Sequence, residues 1–354
     1  MAQGAAVAAE LCGCGMSDGS VIKRAVVEFP ARLGLTRLWR TLRPDGIPVL
    51  TFHGVLPEAD ARLFNATGKF ITPERLHALL TRLARLYEPV PLDAMVDTML
   101  EGRGLRNRFA LTFDDGYANL YTEAFPLLRK MGIPFAVFVT TGFIDTKMVL
   151  WNDLLEFAVF STAKTVLPGD VPGGPLDLTS PAARVAAVIG LKAGLKRLGL
   201  EEAHRRVEHL CEALDVATDA PELELVRFLS ADEISTMSQA GTVLGGHTLT
   251  HPILSRESRE RVREEVTGCK RYLEAITDRP VTTFAYPNGQ VGDFNTMVKD
   301  EVRAAGYRAA FTGIRGLARP GGDPLELKRL FVDCRWTEEE FETRASGLME
   351  LLGR

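Results

Sequence analysis

Two adjacent carboxylates and a spaced pair of histidines are the residues of this chain best suited to chemistry. Asp114 and Asp115 follow the apolar run FALTF, and His247 and His251 stand four residues apart in GGHTLTHP. At that spacing we expect both imidazoles to lie on one face of a helical turn and bind one divalent ion, as in zinc peptidases. Those peptidases carry a Glu directly after the first His. Here Thr248 occupies that position, so a catalytic base must come from elsewhere.

Each of these motifs also has a plain structural explanation. Asp-Asp-Gly after a strand can be a turn, and an Asp can cap the next helix. Against this, the carboxyl ends of buried parallel strands are where α/β sheets and barrels build their sites. Two further strand ends, TFAYPNG at residues 283–289 and IPVLTFHGV at residues 47–55, would be unremarkable alone, since a turn accounts for Pro-Asn-Gly.

The elements that must position these residues alternate regularly along the chain. Seven short apolar runs predict strands: VLTF, FALTF, PFAVFVT, TVLGG, VTTFAYP, YRAAFT and RLFVD. Four segments between them have helical patterns: PERLHALLTRLARLY, LYTEAFPLLRKMG, Ser255 to Ile276, and Asn295 to Ala305. This alternation indicates βα units and a mostly parallel sheet with enough strands to close a barrel.

Residues 155–230 interrupt the alternation with a turn-rich segment and two helical patterns, which predicts a helical insertion. The expected organisation is a tail and amphipathic segment at 1–45, the barrel with its insertion at 46–335, and a C-terminal helix packing on the barrel at 336–354. Residues 21–43 carry six Lys or Arg and one Glu among apolar residues. They fit either weak contact with a membrane surface or a helix packed on the core with its basic face in water.

The composition excludes several classes of protein. The 354 residues are 46% apolar and 25% charged, which is globular composition. The net charge of -4 gives no general attraction to nucleic acid, so no nucleic-acid partner is expected. The N-terminal residues make a poor secretory signal, no run approaches membrane-spanning length, and five cysteines without zinc-ribbon spacing suit a reducing compartment. The cytoplasm is therefore the expected location. Cys12 and Cys14 fit a loose tail or half of a metal site.

Taken together, the four motifs resemble those of the polysaccharide deacetylase family, the NodB-homology carbohydrate esterases. The resemblance runs from about Ile47 to Asp333 without the insertion. It rests on Thr-Phe-Asp-Asp-Gly, His-Thr-x-x-His-Pro and Phe-x-Tyr-Pro-x-Gly in the family's order. It implies an α/β fold, a distorted (β/α) barrel of about seven strands, with its site at the carboxyl ends of the strands.

The resemblance also implies a role for each matching position. Asp115, His247 and His251 would be the metal ligands, and Asp114 would be the general base. The metal would be one divalent ion, with Zn²⁺ expected and Co²⁺, Ni²⁺ and Mn²⁺ as alternatives. Such an ion can bring bound water toward a pKa of about 7. The metal and the backbone N–H of Tyr286 would hold the oxyanion.

Two departures from the family pattern lead to further predictions. Many members have Arg in the third motif where this chain has Ala285, and many carry Leu-x-x-His near the C-terminus, whereas no histidine follows His251 here. A circularly permuted subgroup, which includes exopolysaccharide deacetylases, brings that last strand to the front. The LTFH at residues 50–53 fits this arrangement, so His53 is predicted to be the general acid. Arg329 is the candidate for the missing Arg, although a surface salt bridge would explain it equally well.

Four further residues are candidates for substrate contact. Pro287 belongs to the third motif, and Trp151 lies in LWNDLLEF, which resembles a tryptophan-bearing segment of these deacetylases. A Trp beside apolar residues also fits a core position. Tyr117 and Asn119 either touch substrate or start a helix.

The function predicted from these residues is removal of N-acetyl groups from amino sugars by a metal-dependent hydrolase. The substrate would be an N-acetylated polysaccharide, a glycan precursor or a lipid-linked sugar, and a cytoplasmic enzyme would favour the precursor. One alternative is hydrolysis of a non-sugar amide on the same barrel. The other is a catalytically silent carbohydrate-binding protein, which the missing motif-three Arg keeps open.

Overall fold

The computed structural model describes residues 26–43, 45–169 and 173–352. The tail with Cys12 and Cys14, and residues 21–25 of the amphipathic segment, lie outside the described residues. Within these ranges, no helix combines the length and the apolar character needed to cross a bilayer.

Seven parallel strands close into a barrel. They are labelled here in chain order: β1 (Val49–Phe52), β2 (Arg108–Phe113), β3 (Ala136–Val139), β4 (Val243–Gly246), β5 (Thr283–Ala285), β6 (Ala309–Arg315) and β7 (Leu327–Phe331). β1 pairs with both β7 and β2, and the remaining strands join them in the order β7-β6-β5-β4-β3-β2. The register between β6 and β7 shifts after Phe311, which makes the barrel irregular. The predicted seven-stranded (β/α) barrel is confirmed.

The barrel interior is filled by large and small side chains in combination. Phe138 and Phe311 face each other with ring centroids 5.4 Å apart. Ala110, Ala136 and Ala285 belong to the same buried cluster. Small residues beside two phenyl rings let the seven strands approach closely, and this packed layer forms the floor beneath the strand ends.

Helices surround the barrel and connect its strands. In chain order they are α1 (Leu35–Leu42), α2 (Glu58–Ala61), α3 (Pro73–Ala84), α4 (Leu92–Leu100), α5 (Phe125–Met131), α6 (Trp151–Ser161), α7 (Pro181–Leu195), α8 (Leu200–Ala213), α9 (Ala231–Gln239), α10 (Arg259–Thr277), α11 (Thr296–Ala304) and α12 (Glu338–Ala345). Side chains cap several of them, as Ser230 and Glu233 do in a capping box that starts α9.

Short strands complete the sheet structure. Glu88–Pro89 extends the barrel sheet beside β2, and Gly54–Val55 pairs with Phe70–Ile71 in a separate two-stranded sheet. Val166–Leu167 and Leu176–Asp177 form an antiparallel pair. Because the last pair lies between α6 and α7, it belongs to the segment that interrupts the alternation of strands and helices.

The interrupting segment is a helical subdomain with a core of its own. α6, α7 and α8 pack together through buried residues that include Leu155, Phe157, Val188 and Val207. Its helical part begins with Trp151, four residues before the start expected from the sequence. The subdomain therefore places the first turn of α6 beside the barrel.

The N-terminal and C-terminal helices pack against each other on the outside of the barrel. Residues 26–32 are helical, and the hydroxyl of Thr36 in α1 donates to Glu342 in α12 at 2.5 Å. Arg82 of α3 donates to the same carboxylate at 2.8 Å. Several apolar side chains of residues 26–42, including Phe29 and Leu38, nevertheless remain exposed.

Candidate metal and catalytic site

The predicted metal-ligating and catalytic residues meet in one cavity at the carboxyl ends of the barrel strands. His53 directly follows β1, Asp114 and Asp115 follow β2, and His247 follows β4. Arg329 reaches the same cavity from within β7. The cavity has a volume of about 320 Å³. Parallel strands end on the same side of a barrel, so four distant sequence segments can share one site.

Asp115, His247 and His251 form the only group of three or more candidate metal ligands among the described residues. Asp115 Oδ1 lies 3.5 Å from His247 Nε2 and 3.3 Å from His251 Nε2. Asp115 Oδ1 is buried and has no hydrogen-bond partner in the described part of the chain. An orphaned carboxylate oxygen facing two imidazole nitrogens fits a bound divalent cation.

The second ring nitrogen of His247 supports the same assignment. His247 Nδ1 lies 2.8 Å from the carbonyl oxygen of Ala285. An Nδ1–H that donates to this carbonyl leaves the lone pair of Nε2 free for a metal, the arrangement typical of metal-binding histidines. Ala285, where many relatives have Arg, thus contributes its backbone to the site.

The expectation that the two histidines lie on a helical turn is wrong. The segment after β4 is an irregular loop in which Thr248 has φ 69° and His251 has φ 63°. The Thr248 hydroxyl accepts a bond from the His251 N–H at 2.9 Å, and buried Glu265 accepts the N–H groups of Leu249 and Thr250 at 2.8 Å. This loop brings the two ring centroids within 5.0 Å. Side-chain bonds that hold an irregular backbone are not visible in a residue spacing.

Electrostatics keep Asp115 ionised. Burial alone would raise the pKa of this carboxyl, but the adjacent imidazoles of His247, His251 and His53 outweigh burial and hold the pKa well below its usual range. The carboxylate is therefore negative at neutral pH, as a metal ligand must be.

Asp114 points to a different partner. Its two carboxylate oxygens lie 2.7 Å from the two terminal nitrogens of Arg329, and Arg329 Nε donates to the carbonyl of Thr312 at 3.1 Å. The guanidinium also lies over the ring of Phe138. Burial would raise the pKa of Asp114, but Arg329 outweighs it and the pKa is lowered. Arg329 is only 3% exposed, so the alternative of a surface salt bridge is wrong.

His53 lines the same cavity, with its ring edge against Phe331 at a centroid distance of 5.1 Å. Its Nδ1 is buried and has no hydrogen-bond partner among the residues that the structure describes. Burial lowers the pKa of the imidazole, and the charges of Asp115 and Asp114 offset only part of this. The structure thus places His53 beside the carboxylates, as the permuted order of motifs predicts.

The expected oxyanion role of the Tyr286 backbone is wrong. Its N–H donates to the carbonyl of Phe311 at 3.0 Å, within the pairing of β5 and β6. The side-chain hydroxyl donates to the carbonyl of Leu325 at 2.9 Å. Tyr286 and Pro287 do line the cavity, so this segment forms part of the wall.

Of Trp151, Tyr117 and Asn119, which were predicted to contact substrate, only Trp151 lines the cavity. Trp151 lines the cavity from the first turn of α6. Tyr117 is fully buried, does not line the cavity, and donates its hydroxyl to Asp153 at 2.6 Å. Asn119 accepts the N–H of Val55 and donates to the carbonyl of Leu225. The prediction that Tyr117 or Asn119 contacts substrate is therefore wrong, because both side chains hold neighbouring segments in place.

Two buried ion pairs beside the cavity were not predicted. The ammonium of Lys69 contacts Asp153, and that of Lys192 contacts Glu156. Burial lowers the pKa of Lys69 to about 8. The sequence offered a signal in WNDLLEF, where two acids three residues apart interrupt an otherwise apolar helix. Such acids are rarely buried without a cation, so each indicates a basic partner elsewhere in the chain.

Comparison with known proteins places this barrel and site in one family. The sequence profile described as polysaccharide deacetylase matches residues 102–310, more than half of the chain. The chain belongs to the polysaccharide deacetylase family. The matched range includes both acids and both histidines of the site. His53 and Arg329 lie outside it, so their assignment rests on the geometry.

Individual relatives agree with this membership. The poly-beta-1,6-N-acetyl-D-glucosamine N-deacetylase of Escherichia coli strain K12 is 31% identical over 132 residues, 34% of this chain; the chain spans only 18% of that protein's length. Among solved structures, IcaB from Ammonifex degensii has a TM-score of 0.56 at 20% identity and covers 86% of this chain and 97% of its own. The Streptococcus pyogenes deacetylase PplD has a TM-score of 0.54 at 18% identity, covering 84% and 97%. At these identities the two structures support the shared fold.

Proposed function

We propose that the protein is a metal-dependent hydrolase that removes N-acetyl groups from amino sugars of a polysaccharide or a glycan precursor. One observation carries the proposal: a carboxylate paired with a buried arginine stands next to an Asp-His-His group in a single cavity. Family membership supports the reaction class. The name of the Escherichia coli relative describes N-deacetylation of a glucosamine polymer, and it supports an N-acetylated sugar as substrate.

Asp115, His247 and His251 would hold the metal. One carboxylate and two imidazoles are a donor set that suits Zn²⁺ and leaves open positions, and Co²⁺, Ni²⁺ and Mn²⁺ accept the same donors. When bound, a divalent ion lowers the pKa of water and polarises an acyl oxygen. The buried Asp115 oxygen without a partner is the feature of this chain that supports the assignment.

Asp114 would take the proton from the attacking water. Its bidentate pair with Arg329 keeps the carboxylate ionised and fixes its orientation, since both oxygens are held at 2.7 Å. A base held in one orientation loses little freedom when the substrate binds. Arg329 acts here through Asp114 and is a positioning residue.

His53 would donate a proton to the leaving amine. It stands on the same cavity wall as Phe331, beside the two carboxylates. Because burial lowers its pKa below the ordinary value, the resting imidazole is neutral at pH 7. In this proposal His53 takes up a proton from solvent and delivers it to the leaving amine, and Asp114 returns to solvent the proton that it took from the attacking water.

Arg329 also bears on the two alternatives. The silent carbohydrate-binding protein was kept open by the arginine missing from the third motif, and an arginine from β7 occupies the contact with Asp114 instead. Hydrolysis of a non-sugar amide would use the same groups. Trp151 on the cavity wall favours a sugar, because aromatic faces stack on pyranose rings.

The test is acetate release from N-acetylglucosamine oligomers and other acetylated glycans. The protein is stripped of metal, assayed, and assayed again after Zn²⁺ is restored. We expect release only after metal is restored. Release that survives thorough metal removal would contradict the metal mechanism, and no release from any glycan would contradict the sugar substrate.

We also propose weak contact with a membrane surface and a cytoplasmic location. The described part of the amphipathic segment exposes Phe29, Leu33, Leu38 and Leu42, each more than half exposed. Apolar side chains beside arginines favour an anionic lipid surface. Five cysteines without zinc-ribbon spacing, which suit a reducing compartment, support the cytoplasmic location.

A further inference from the structure

The wall of the catalytic cavity carries more basic than acidic side chains. The basic ones are Lys69, Lys192, Lys196, Arg256 and Arg329. The acidic ones are Asp114, Asp115 and Glu257. Three of the basic side chains face a carboxylate: Arg329 faces Asp114, Lys69 faces Asp153, and Lys192 faces Glu156. Lys196 and Arg256 remain, and within the described ranges no salt bridge joins either of them to a carboxylate.

Lys196 and Arg256 lie against each other. The guanidinium of Arg256 donates to the backbone carbonyl of Lys196, and the Lys196 ammonium donates to the side-chain oxygen of Asn288 at 2.7 Å. Burial and repulsion from Lys192 lower the pKa of Lys196, and Asp293 offsets only part of this. The Lys196 ammonium thus lies close enough to Lys192 to be repelled by it, and an anion bound between Lys196 and Arg256 would stabilise its charge.

Lys196 and Arg256 lie near the residues that would carry out the reaction. Asn288, which accepts from the Lys196 ammonium, lines the same cavity as His247 and His251. His251, a proposed metal ligand, and Arg256 belong to the same loop between β4 and α10. An anion on this wall would therefore lie beside the sugar whose acetamide is attacked.

We infer that Lys196 and Arg256 bind a phosphate group of the substrate, so that the preferred substrate is an N-acetylated amino sugar with a phosphate at its anomeric carbon. The inference rests on the proposed deacetylase function. In a 2-acetamido sugar the carbon bearing the acetamido group is bonded to the anomeric carbon, so a phosphate there stays close to the amide. A guanidinium and an ammonium are the side chains that bind phosphate most strongly. Lipid-linked and nucleotide-linked sugars share this chemistry.

The experiment compares kcat/KM of the metal-loaded protein for N-acetylglucosamine 1-phosphate and for methyl N-acetylglucosaminide, its neutral counterpart. We expect the phosphate to be preferred, and Lys196→Gln and Arg256→Gln each to lower the ratio of the two kcat/KM values about tenfold through KM. The matched control is Arg197→Gln, which removes an exposed neighbouring charge that does not line the cavity. It should leave the ratio unchanged.

Two longer substrates then distinguish the sources of the phosphate. A nucleotide diphosphate sugar and a short-chain polyprenyl diphosphate sugar carry the same linkage, and the one with the higher kcat/KM identifies the source. Equal kcat/KM for the neutral and phosphorylated sugars, or equal losses for both in the variants, would overturn the phosphate site and leave the deacetylase function intact. No turnover of either sugar class would overturn both.

Discussion

Arg329 and Asp114 form a bidentate pair with two nitrogen–oxygen distances of 2.7 Å, although 215 residues separate them in the chain. The family resemblance leads to the expectation of an arginine in the third motif, and this chain has Ala285 there. β7 lies beside β1, whose other neighbour is β2, so an arginine from β7 can reach the end of β2. The order of strands in the barrel therefore allows an arginine of β7 to pair with the carboxylate that follows β2.

Replacing Arg329 tests whether the pair positions the base. Arg329→Lys keeps a charge but loses the two-pronged contact, so we expect kcat to fall about a hundredfold with metal affinity unchanged. Arg329→Met leaves Asp114 buried without its partner and should lower the free energy of unfolding by about 3 kcal/mol. The control is Arg303→Lys, because Arg303 forms an exposed ion pair with Asp300. Unchanged kcat in the lysine variant would contradict a positioning role.

The acid assignment is tested with His53→Ala. General acid catalysis contributes about 10²- to 10⁴-fold, so we expect kcat to fall within that range while one metal ion per chain is still bound. His77→Ala removes an exposed histidine of α3 and should retain full activity. Turnover within a few-fold of wild type after His53→Ala would show that another group protonates the amine.

Metal binding is tested by the double variant His247→Ala, His251→Ala. With only Asp115 left of the three ligands, we expect it to bind no stoichiometric zinc and to lose the rise in Tm that zinc gives the wild-type protein. His209→Ala, at an exposed position of α8, is the matched control. Retention of one ion per chain in the double variant would contradict the ligand assignment.

Asp114→Asn should bind zinc normally and lose turnover.

Breaking the ion pair between Lys69 and Asp153 is expected to lower the free energy of unfolding substantially. Both side chains are buried, and Tyr117 donates to the same carboxylate. Asp153→Asn would leave the Lys69 ammonium without its counter-charge, and we expect a loss of about 3 kcal/mol or more in unfolding free energy measured with urea. Asp215→Asn, in an exposed pair with Lys164, should cost less than about 1 kcal/mol. Equal losses of unfolding free energy in the two variants would contradict the prediction that the buried pair stabilises the fold.

The strands were predictable because each is a short apolar run buried in a parallel sheet, and such runs are local in sequence. α4 (Leu92–Leu100) was missed because a nine-residue apolar segment gives too few turns to show a helical period. The loop after β4 and the burial of Tyr117 depend on contacts with Glu265 and Asp153, which are distant in sequence. The sequence motifs thus predicted where the site lies, whereas the backbone geometry of the site could be seen only in the structure.

The exposed apolar face of residues 26–42 predicts binding to anionic membranes. Leu38 is 58% exposed and Leu42 is 69% exposed, and Arg37 of α1 is exposed as well. Replacing both leucines by serine should reduce co-sedimentation with vesicles of phosphatidylglycerol and phosphatidylcholine about tenfold, since each loses most of its apolar contact with lipid. Ile189→Ser removes an apolar side chain of α7 that is 53% exposed and is the control. Vesicle binding that is unchanged in the leucine variant, or equally reduced by Ile189→Ser, would contradict a membrane contact at this face.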